Sequence, residues 1–248
     1  MKKLLPLFCA MGFLAQPALA ANNITTLQTL GQSEFNAVSE DLGSALSYKP
    51  VMPAAPLGVT GFDIGLEVTQ TNMAQSSQIW SKITGNGNTL SSLYVPKVHV
   101  AKGLPFGIDV ALVYSKIPTT NISLIGGELR YAILDGGLAT PSVAIRGAFT
   151  RLGGVDQLSF NTKSLDLSVS KGFLMFTPYA GVGHVWVDST ANVASQAPGY
   201  TGMALSDKFT QNKVFAGANL NLGLVNFAAE VDKTGSAHSV TAKVGLRW

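Results

Sequence analysis

The chain has 248 residues, only 12% of them charged, and a formal net charge of +3 at pH 7. Soluble domains of ordinary composition carry about a quarter of their residues as charged side chains, so this chain is unusually poor in charge. Removing Lys2 and Lys3 with the leader described below lowers the net charge to +1, which excludes the basic surface expected of a nucleic-acid-binding protein.

The first twenty residues have the three parts of a secretory signal peptide. Two lysines form a charged start, LLPLFCAMGFLA forms an apolar stretch, and ALA at 18–20 supplies a small-residue cleavage site. The apolar stretch is shorter than the roughly 20 residues that a membrane-spanning helix needs. We therefore predict a signal peptide at 1–20 and a mature chain that starts at Ala21. The single cysteine, Cys9, leaves with the signal peptide, which excludes a disulfide-stapled domain.

Residues 21–57 form a segment of their own. Between Gln32 and Tyr48 the apolar residues fall three or four positions apart, the spacing of one face of a helix, and Pro50 ends the pattern. The pattern predicts an amphipathic helix followed by a Pro-rich linker, KPVMPAAPLG. The apolar positions of this helix are Phe35, Val38, Leu42 and Leu46.

From residue 58 to the end, apolar and polar residues alternate. This period of two is that of β-strands with one apolar and one polar face. Tilted strands need about 9–11 residues to cross a bilayer, and most of the segments approach that length. We predict ten strands, with eight or twelve as alternatives, near 60–70, 93–102, 107–116, 125–133, 142–150, 164–169, 178–188, 213–223, 225–232 and 239–248.

The connections between these segments are short at one end of the predicted sheet and longer at the other. The short ones are KGLPF, LDGGLAT, SKGFL and GLVN, whereas 71–92 and 188–212 are long. Such asymmetry is typical of outer-membrane barrels, which have short periplasmic turns and longer outward loops. With an even strand number, both termini lie at the periplasmic side.

Two classes of exported protein have strands of this pattern: a soluble periplasmic β-barrel and a closed antiparallel barrel in a membrane. The membrane barrel turns its apolar face outward to lipid, and the soluble barrel turns the same face inward. We favour the membrane barrel, because a soluble one would expose a surface rich in Gly, Ser and Ala and would have to bury a very large apolar set.

The polar face carries both signs of charge, and we predict that it lines the lumen. A ten-stranded barrel is only slightly wider than the eight-stranded size that its own side chains fill, so a lumen filled by ion pairs is one interpretation and a narrow channel is the other. We expect the N-terminal helix to pack near the periplasmic mouth, and a plug inserted into the lumen is the alternative. If the first and last strands pair, Asp63 falls near Lys243. The predicted lumen-lining residues are Asp63, Glu67, Lys97, His99, Asp109, Glu128, Arg130, Arg146, Asp166, His184, Glu230, Lys243 and Arg247.

The chain ends in an alternating strand, SVTAKVGLRW, whose last residue is an aromatic. Signal peptide, alternating turn lengths and this ending together resemble the small bacterial outer-membrane β-barrel proteins, over about 58–248. The resemblance implies a location in the outer membrane of a Gram-negative cell, contact with its lipid, and a closing strand that the barrel-assembly machinery recognises. In this chain the recognition residues would be Val240, Val244, Leu246 and Trp248.

Signatures of catalysis are weak. The three histidines form no HExxH pair or other metal-ligand spacing, and the chain has neither a GxSxG motif nor a phosphate-binding glycine loop. We therefore expect no metal, no cofactor and no enzyme, but a structural barrel or one that passes small solutes in a porin-like way.

Two alternatives remain. A rim enzyme acting on lipid or protein would use His184, Asp188 and Ser189, and a loop-based adhesin would use the large residues of the long loops, Trp80, Tyr200 and Met203.

Overall fold

The computed structural model describes residues 30–84, 89–117, 121–137, 139–191 and 205–248. The predicted signal peptide lies outside these described residues. The described chain starts with helix α1 (Gln32–Leu46), and a short helix α2 (Ile79–Thr84) follows the first strand. The strands are β1 (Phe62–Asn72), β2 (Ser92–Gly103), β3 (Ile108–Lys116), β4 (Ser123–Leu134), β5 (Ser142–Gly153), β6 (Leu158–Ser170), β7 (Phe176–Ala191), β8 (Leu205–Leu222), β9 (Val225–Thr234) and β10 (Ala237–Arg247).

The ten strands form one closed antiparallel barrel. Each strand pairs with its sequence neighbours, and β1 closes the ring by pairing with β10 in a register that sets Glu67 opposite Lys243. Closure gives every strand a partner on both sides, so the sheet has no edge strand, as a sheet in hydrocarbon requires. The prediction of a closed up-and-down barrel of ten strands with an N-terminal helix is confirmed.

The apolar face of the sheet points outward. In β1, Leu66 is 62% exposed whereas Asp63 and Glu67 are buried, and in β3 Leu112 is also 62% exposed whereas Asp109 is buried. The same alternation continues around the barrel, for example in β6 and β9. A soluble barrel would show the opposite orientation.

Two ends of the barrel are distinguished below. The long-loop end carries the connections that follow β1, β3, β5, β7 and β9, and the turn end carries the others together with Trp248. β7 and β8 extend further than the sequence predicted. Their hairpin rises beyond β9 at the long-loop end, because Lys213 of β8 already pairs with Thr234, the last residue of β9. Among the described residues, no helix is long and apolar enough to cross a bilayer.

Candidate functional site: the occupied lumen

Helix α1 lies inside the barrel, in the half next to the long-loop end, so the expected position at the opposite mouth is wrong. Its N-terminal residue Gln32 donates a hydrogen bond from Nε2 to the backbone oxygen of Ser206, near the start of β8, at 3.1 Å. The apolar face is buried and packs against inward-facing side chains of β2, β4, β6 and β7. The cluster includes Phe35, Val38, Leu42 and Leu46 of the helix together with Val95, Leu124, Leu158, Phe160, Val185 and Val187 of the wall.

A glycine lets the helix approach the wall closely. A Cβ at Gly43 would come within 2.8 Å of both Val187 Cγ2 and Gln211 Oε1. Gln211 also donates from Nε2 to the backbone oxygen of Glu40 at 3.0 Å, which links the helix to β8. Contact at this distance is possible only without a side chain.

The polar side of α1 is bound to the first long loop. Asp41 is fully buried, and its Oδ2 accepts hydrogen bonds from the backbone nitrogens of Gln75 and Ser76 at 3.0 and 2.8 Å and from the Ser76 hydroxyl at 2.7 Å. Ser76 also accepts a hydrogen bond from the indole nitrogen of Trp80 at 3.0 Å. The loop between β1 and β2 therefore closes over the helix, and Trp80 is buried in it.

At the mouth itself the contacts are exposed. Glu34 pairs with Lys82 of α2 and accepts a hydrogen bond from the backbone nitrogen of Gly31 at 3.2 Å. The hydrogen bond from Lys82, and then the one from Gly31, hold the pKa of Glu34 below its ordinary value. This pair lies outside the strands of the barrel.

The linker that follows α1 runs through the other half of the lumen to the turn end. Lys49 Nζ lies 2.8 Å from Asp232 Oδ2, and both side chains are buried. The backbone nitrogen of Val51 donates to Glu230 at 3.0 Å, and that of Leu57 donates to Asp109 at 3.0 Å. Inward carboxylates of the wall thus bind the backbone and the one lysine of the linker.

Two backbone features fix the path of the linker. Val51 has a φ of 45°, which is unusual for a β-branched residue and persists only where the surroundings hold the chain. Gly58 has a φ of 77°, and its oxygen accepts a hydrogen bond from the nitrogen of Gly61 at 3.0 Å. The chain leaves the lumen through this turn and enters β1.

Ion pairs connect the predicted lumen residues around the linker. Lys243 Nζ lies 2.9 Å from Asp63 Oδ1, as strand closure led us to expect. Glu67 contacts His99 at 2.6 Å and Lys97 at 3.6 Å. Further pairs are Arg130–Asp109 at 2.6 Å, Arg146–Glu128 at 2.9 Å, Arg146–Asp166 at 3.7 Å, Lys213–Asp166 at 3.3 Å and Arg247–Asp63 at 3.7 Å.

His184 is the exception among the predicted lumen residues, and its prediction is wrong. It lies exposed on the outer face of β7 beside Trp186, with 6.3 Å between ring centroids, while Tyr179, Val185 and Val187 point inward. The physical reason is the helix. The helix gives the long-loop half of the lumen an apolar core, so the inward side chains of β7 are apolar there. Polarity therefore does not show which residues of β7 point inward and which point outward.

The residues of the predicted catalytic rim do not converge. Ser189 faces inward and its hydroxyl is hydrogen-bonded to that of Ser39 at 3.0 Å. Asp188 is partly exposed and pairs with Lys208 at 2.9 Å. His184 lies on the outer wall, so no triad-like arrangement exists among these three described residues. Tyr200 and Met203 of the predicted adhesive loops lie outside the described residues.

The closing strand carries its predicted recognition residues on the outer face. Val240, Val244, Leu246 and Trp248 are all exposed. Trp248 stacks on Phe62 with 5.1 Å between ring centroids, and the two residues exchange backbone hydrogen bonds of 2.9 and 3.1 Å. The last residue is thereby fixed to the first strand, and the role of these residues in assembly stays a prediction.

Sequence reasoning missed three residues of the lumen: Asp41, Lys49 and Lys213. Lys213 is the first residue of the strand predicted at 213–223 and shares the parity of the inward Phe215, so the alternation was enough to place it on the lumen face. Lys49 is the only charged residue of an otherwise apolar linker, which is a weak signal for a buried partner. No comparable signal marked Asp41.

Comparison with protein families places this barrel in a known group. The model of DUF6588, a family of unknown function, matches residues 60–248. The chain belongs to DUF6588. The match covers the barrel of the DUF6588 chain and excludes α1 and nearly all of its linker. No curated protein matches the chain in sequence.

Several solved barrels are similar to the DUF6588 chain at low identity. The N-terminal β-barrel domain of Pseudomonas aeruginosa OprF has 14% identity and a TM-score of 0.38, over 75% of this chain and 97% of that one. LpxR from Salmonella typhimurium has 10% identity and a TM-score of 0.40, over 73% and 99%. The translocator domain of the autotransporter NalP from Neisseria meningitidis has 11% identity and a TM-score of 0.36, over 90% and 98%. At such values these likenesses carry no argument about function.

Proposed function

We propose that this chain is an integral, non-enzymatic outer-membrane β-barrel whose own N-terminal segment, residues 30–57, closes its lumen. The observation that carries the proposal is the occupation of the lumen by this segment. Its apolar half packs on the apolar half of the wall, and its linker binds wall carboxylates. We call residues 30–57 the plug below.

Several observations support the membrane location. The barrel is closed, most of its outward side chains are apolar, and the sequence predicts a signal peptide and an aromatic closing strand. A surface of this kind would aggregate in water but matches the lipid-facing wall of outer-membrane barrels. The expected partners are the lipid of the outer membrane and, during biogenesis, the barrel-assembly machinery.

The plug determines what the barrel can pass. An α-helix with its side chains is about 10–12 Å wide, so the helix occupies the space through which solutes would have to move. The barrel is therefore closed in this state, and passive passage of small solutes requires the plug to leave. A structural role needs no such movement.

Conductance across planar bilayers tests the proposal. The wild-type chain is expected to be silent, and a variant lacking residues 30–57 is expected to give a steady conductance. A wild-type chain that conducts as well as the deletion variant would refute closure by the plug. A folded deletion variant that stays silent would show that the wall alone fills the lumen.

A matched pair of point variants separates the plug from general damage. Leu42→Asp places a charge in the apolar cluster around α1 and is expected to open the barrel. Asn36→Asp adds the same charge to the same helix at a partly exposed position and is expected to leave it closed. Equal behaviour of the two variants would contradict the proposed packing.

Catalysis at the rim is not favoured, because His184 and Ser189 lie on opposite faces of the wall. We expect a His184→Ala variant to leave lipid A composition and surface proteolysis unchanged, and a change in either would restore the enzyme hypothesis. Adhesion through Trp80 is not favoured either, since that side chain is buried over the plug.

A further inference from the structure

The outer wall of the barrel contains an apolar groove of about 810 Å³ that crosses β5 to β10. Ala180 of β7 and Ala216 of β8 are paired neighbours on the outer face, and the next outward pair toward the long-loop end is Val182 and Val214. Small side chains beside larger ones make a depression in the wall. The outward residues that line it include Leu167, Val169, Ala180, Val182, Val214 and Val231.

The outward polar side chains of this groove, a lysine and a histidine, lie at one of its ends. Lys233 and His238 line it, pair with one another across β9 and β10, and are both exposed. They lie beside the β9–β10 connection, at the long-loop end. The neighbouring carboxylate, Asp232, faces the lumen and pairs with Lys49 instead.

This arrangement matches one kind of molecule: an acyl chain attached to an anionic headgroup. The apolar groove offers a surface for the chain, and an ammonium group at its outer end offers a charge-assisted hydrogen bond to a phosphate. If the proposed membrane location holds, the long-loop end faces the outer leaflet, whose lipids carry phosphorylated sugars.

We propose that the groove binds a phosphorylated glycolipid of the outer leaflet, with one acyl chain along Ala180 and Ala216 and a phosphate at Lys233 and His238. A second copy of the chain is the competing occupant. A barrel wall is convex, so it would fill a groove of this shape poorly and would bring no anion to Lys233. The proposal rests on the membrane location given above and not on the closure of the lumen.

Native mass spectrometry of the full chain, released from nanodiscs that contain lipid A and phosphatidylethanolamine, tests this inference. The wild type is expected to keep lipid A in preference to phosphatidylethanolamine. Lys233→Gln removes the charge, and Ala216→Leu fills the groove without changing charge. Lys233→Gln is expected to lower lipid A retention about tenfold, the equivalent of one charge-assisted hydrogen bond, and Ala216→Leu is expected to lower it by excluding the acyl chain.

Lys116→Gln is the matched control. Lys116 is an exposed cation at the long-loop end of β3, three strands from β10 around the ring, and does not line the groove, so its replacement is expected to leave retention unchanged. Equal retention by wild type, Lys233→Gln and Ala216→Leu would overturn the proposal, as would equal retention of the two lipids. A dimer that dissociates in Ala216→Leu would overturn it in favour of a second copy.

The outcome is independent of the plug. The groove lies on the outside of the wall, so Lys233→Gln is expected to remain as silent in planar bilayers as the wild type. Heat-modifiable mobility on gels reports whether each variant has folded as a barrel. Loss of lipid binding and loss of lumen closure are therefore measured separately.

Discussion

Replacing Lys49 by methionine should loosen the plug while keeping its volume. Lys49 and Asp232 form a buried pair at 2.8 Å, with side-chain exposures of 0% and 1%. Removing one partner of a buried pair leaves an uncompensated charge and costs about 3–5 kcal/mol. Asp232 still accepts a hydrogen bond from the Thr234 hydroxyl at 2.9 Å, so we take the lower end of this range, about 3 kcal/mol. This energy corresponds to about a hundredfold increase in the equilibrium constant for release of the plug from the lumen.

Amide hydrogen exchange measures this equilibrium directly. The backbone nitrogens of Val51 and Leu57 donate to wall carboxylates and become free to exchange only when the plug leaves. In Lys49→Met these amides should exchange about a hundredfold faster than in the wild type.

Two further variants control for the charge itself. Lys49→Arg keeps the charge and should retain most of the protection. Lys49→Met combined with Asp232→Leu removes both charges and should regain protection, because replacing a buried pair by apolar groups is often neutral. Unchanged exchange in folded Lys49→Met, or no recovery in the double variant, would refute the view that this pair holds the plug.

Three other results are expected. A Gln32→Cys variant should react with a membrane-impermeant maleimide on intact cells, and Val59→Cys, at the turn end, should react only after the membrane is disrupted; the reverse pattern would invert the proposed orientation. The contact of Glu34 with Lys82 should be present above the ordinary pKa of Glu34, near 4.5, and be lost as pH falls through its lowered value. The protection of the first-turn amides of α1, measured relative to the intrinsic exchange rate at each pH, should therefore fall on acidification in the wild type but not in Glu34→Gln. Removing Trp248, which loses its stacking and its backbone hydrogen bonds to β1, should reduce the amount of heat-modifiable barrel in cells, and normal assembly without it would contradict its role as a recognition residue.

The strands were predictable because lipid-facing and lumen-facing positions differ in polarity almost everywhere. Asp63 and Glu67 alternate with Ile64 and Leu66 in β1, and the structure keeps that order. The rule fails in β7, where Val185 points inward. The polarity of a residue indicates the environment of its side chain and not the direction in which it points. Residues that face an apolar core inside the barrel are therefore as apolar in the sequence as residues that face lipid outside it.

The location of α1 could not be predicted from the helix alone. Its apolar face would pack equally well against the mouth of a barrel or against an apolar interior. The deciding information lies in the wall, where inward positions such as Val95, Leu124 and Phe160 are apolar near the long-loop end. These residues can be recognised as facing the lumen only when the strand pairing is known, because the pairing shows that they surround the helix at the same level of the barrel.

The polarity of the plug matches that of the surrounding wall in only one orientation of the plug along the lumen. The apolar cluster of α1 meets the apolar half of the lumen, and the backbone amides and lysine of the linker meet its carboxylates. A reversed segment would bury Leu42 among charges and leave Asp232 without Lys49, and both changes are costly. The sequence of the plug therefore fixes residue 30 at the long-loop end, where Gln32 is hydrogen-bonded to Ser206.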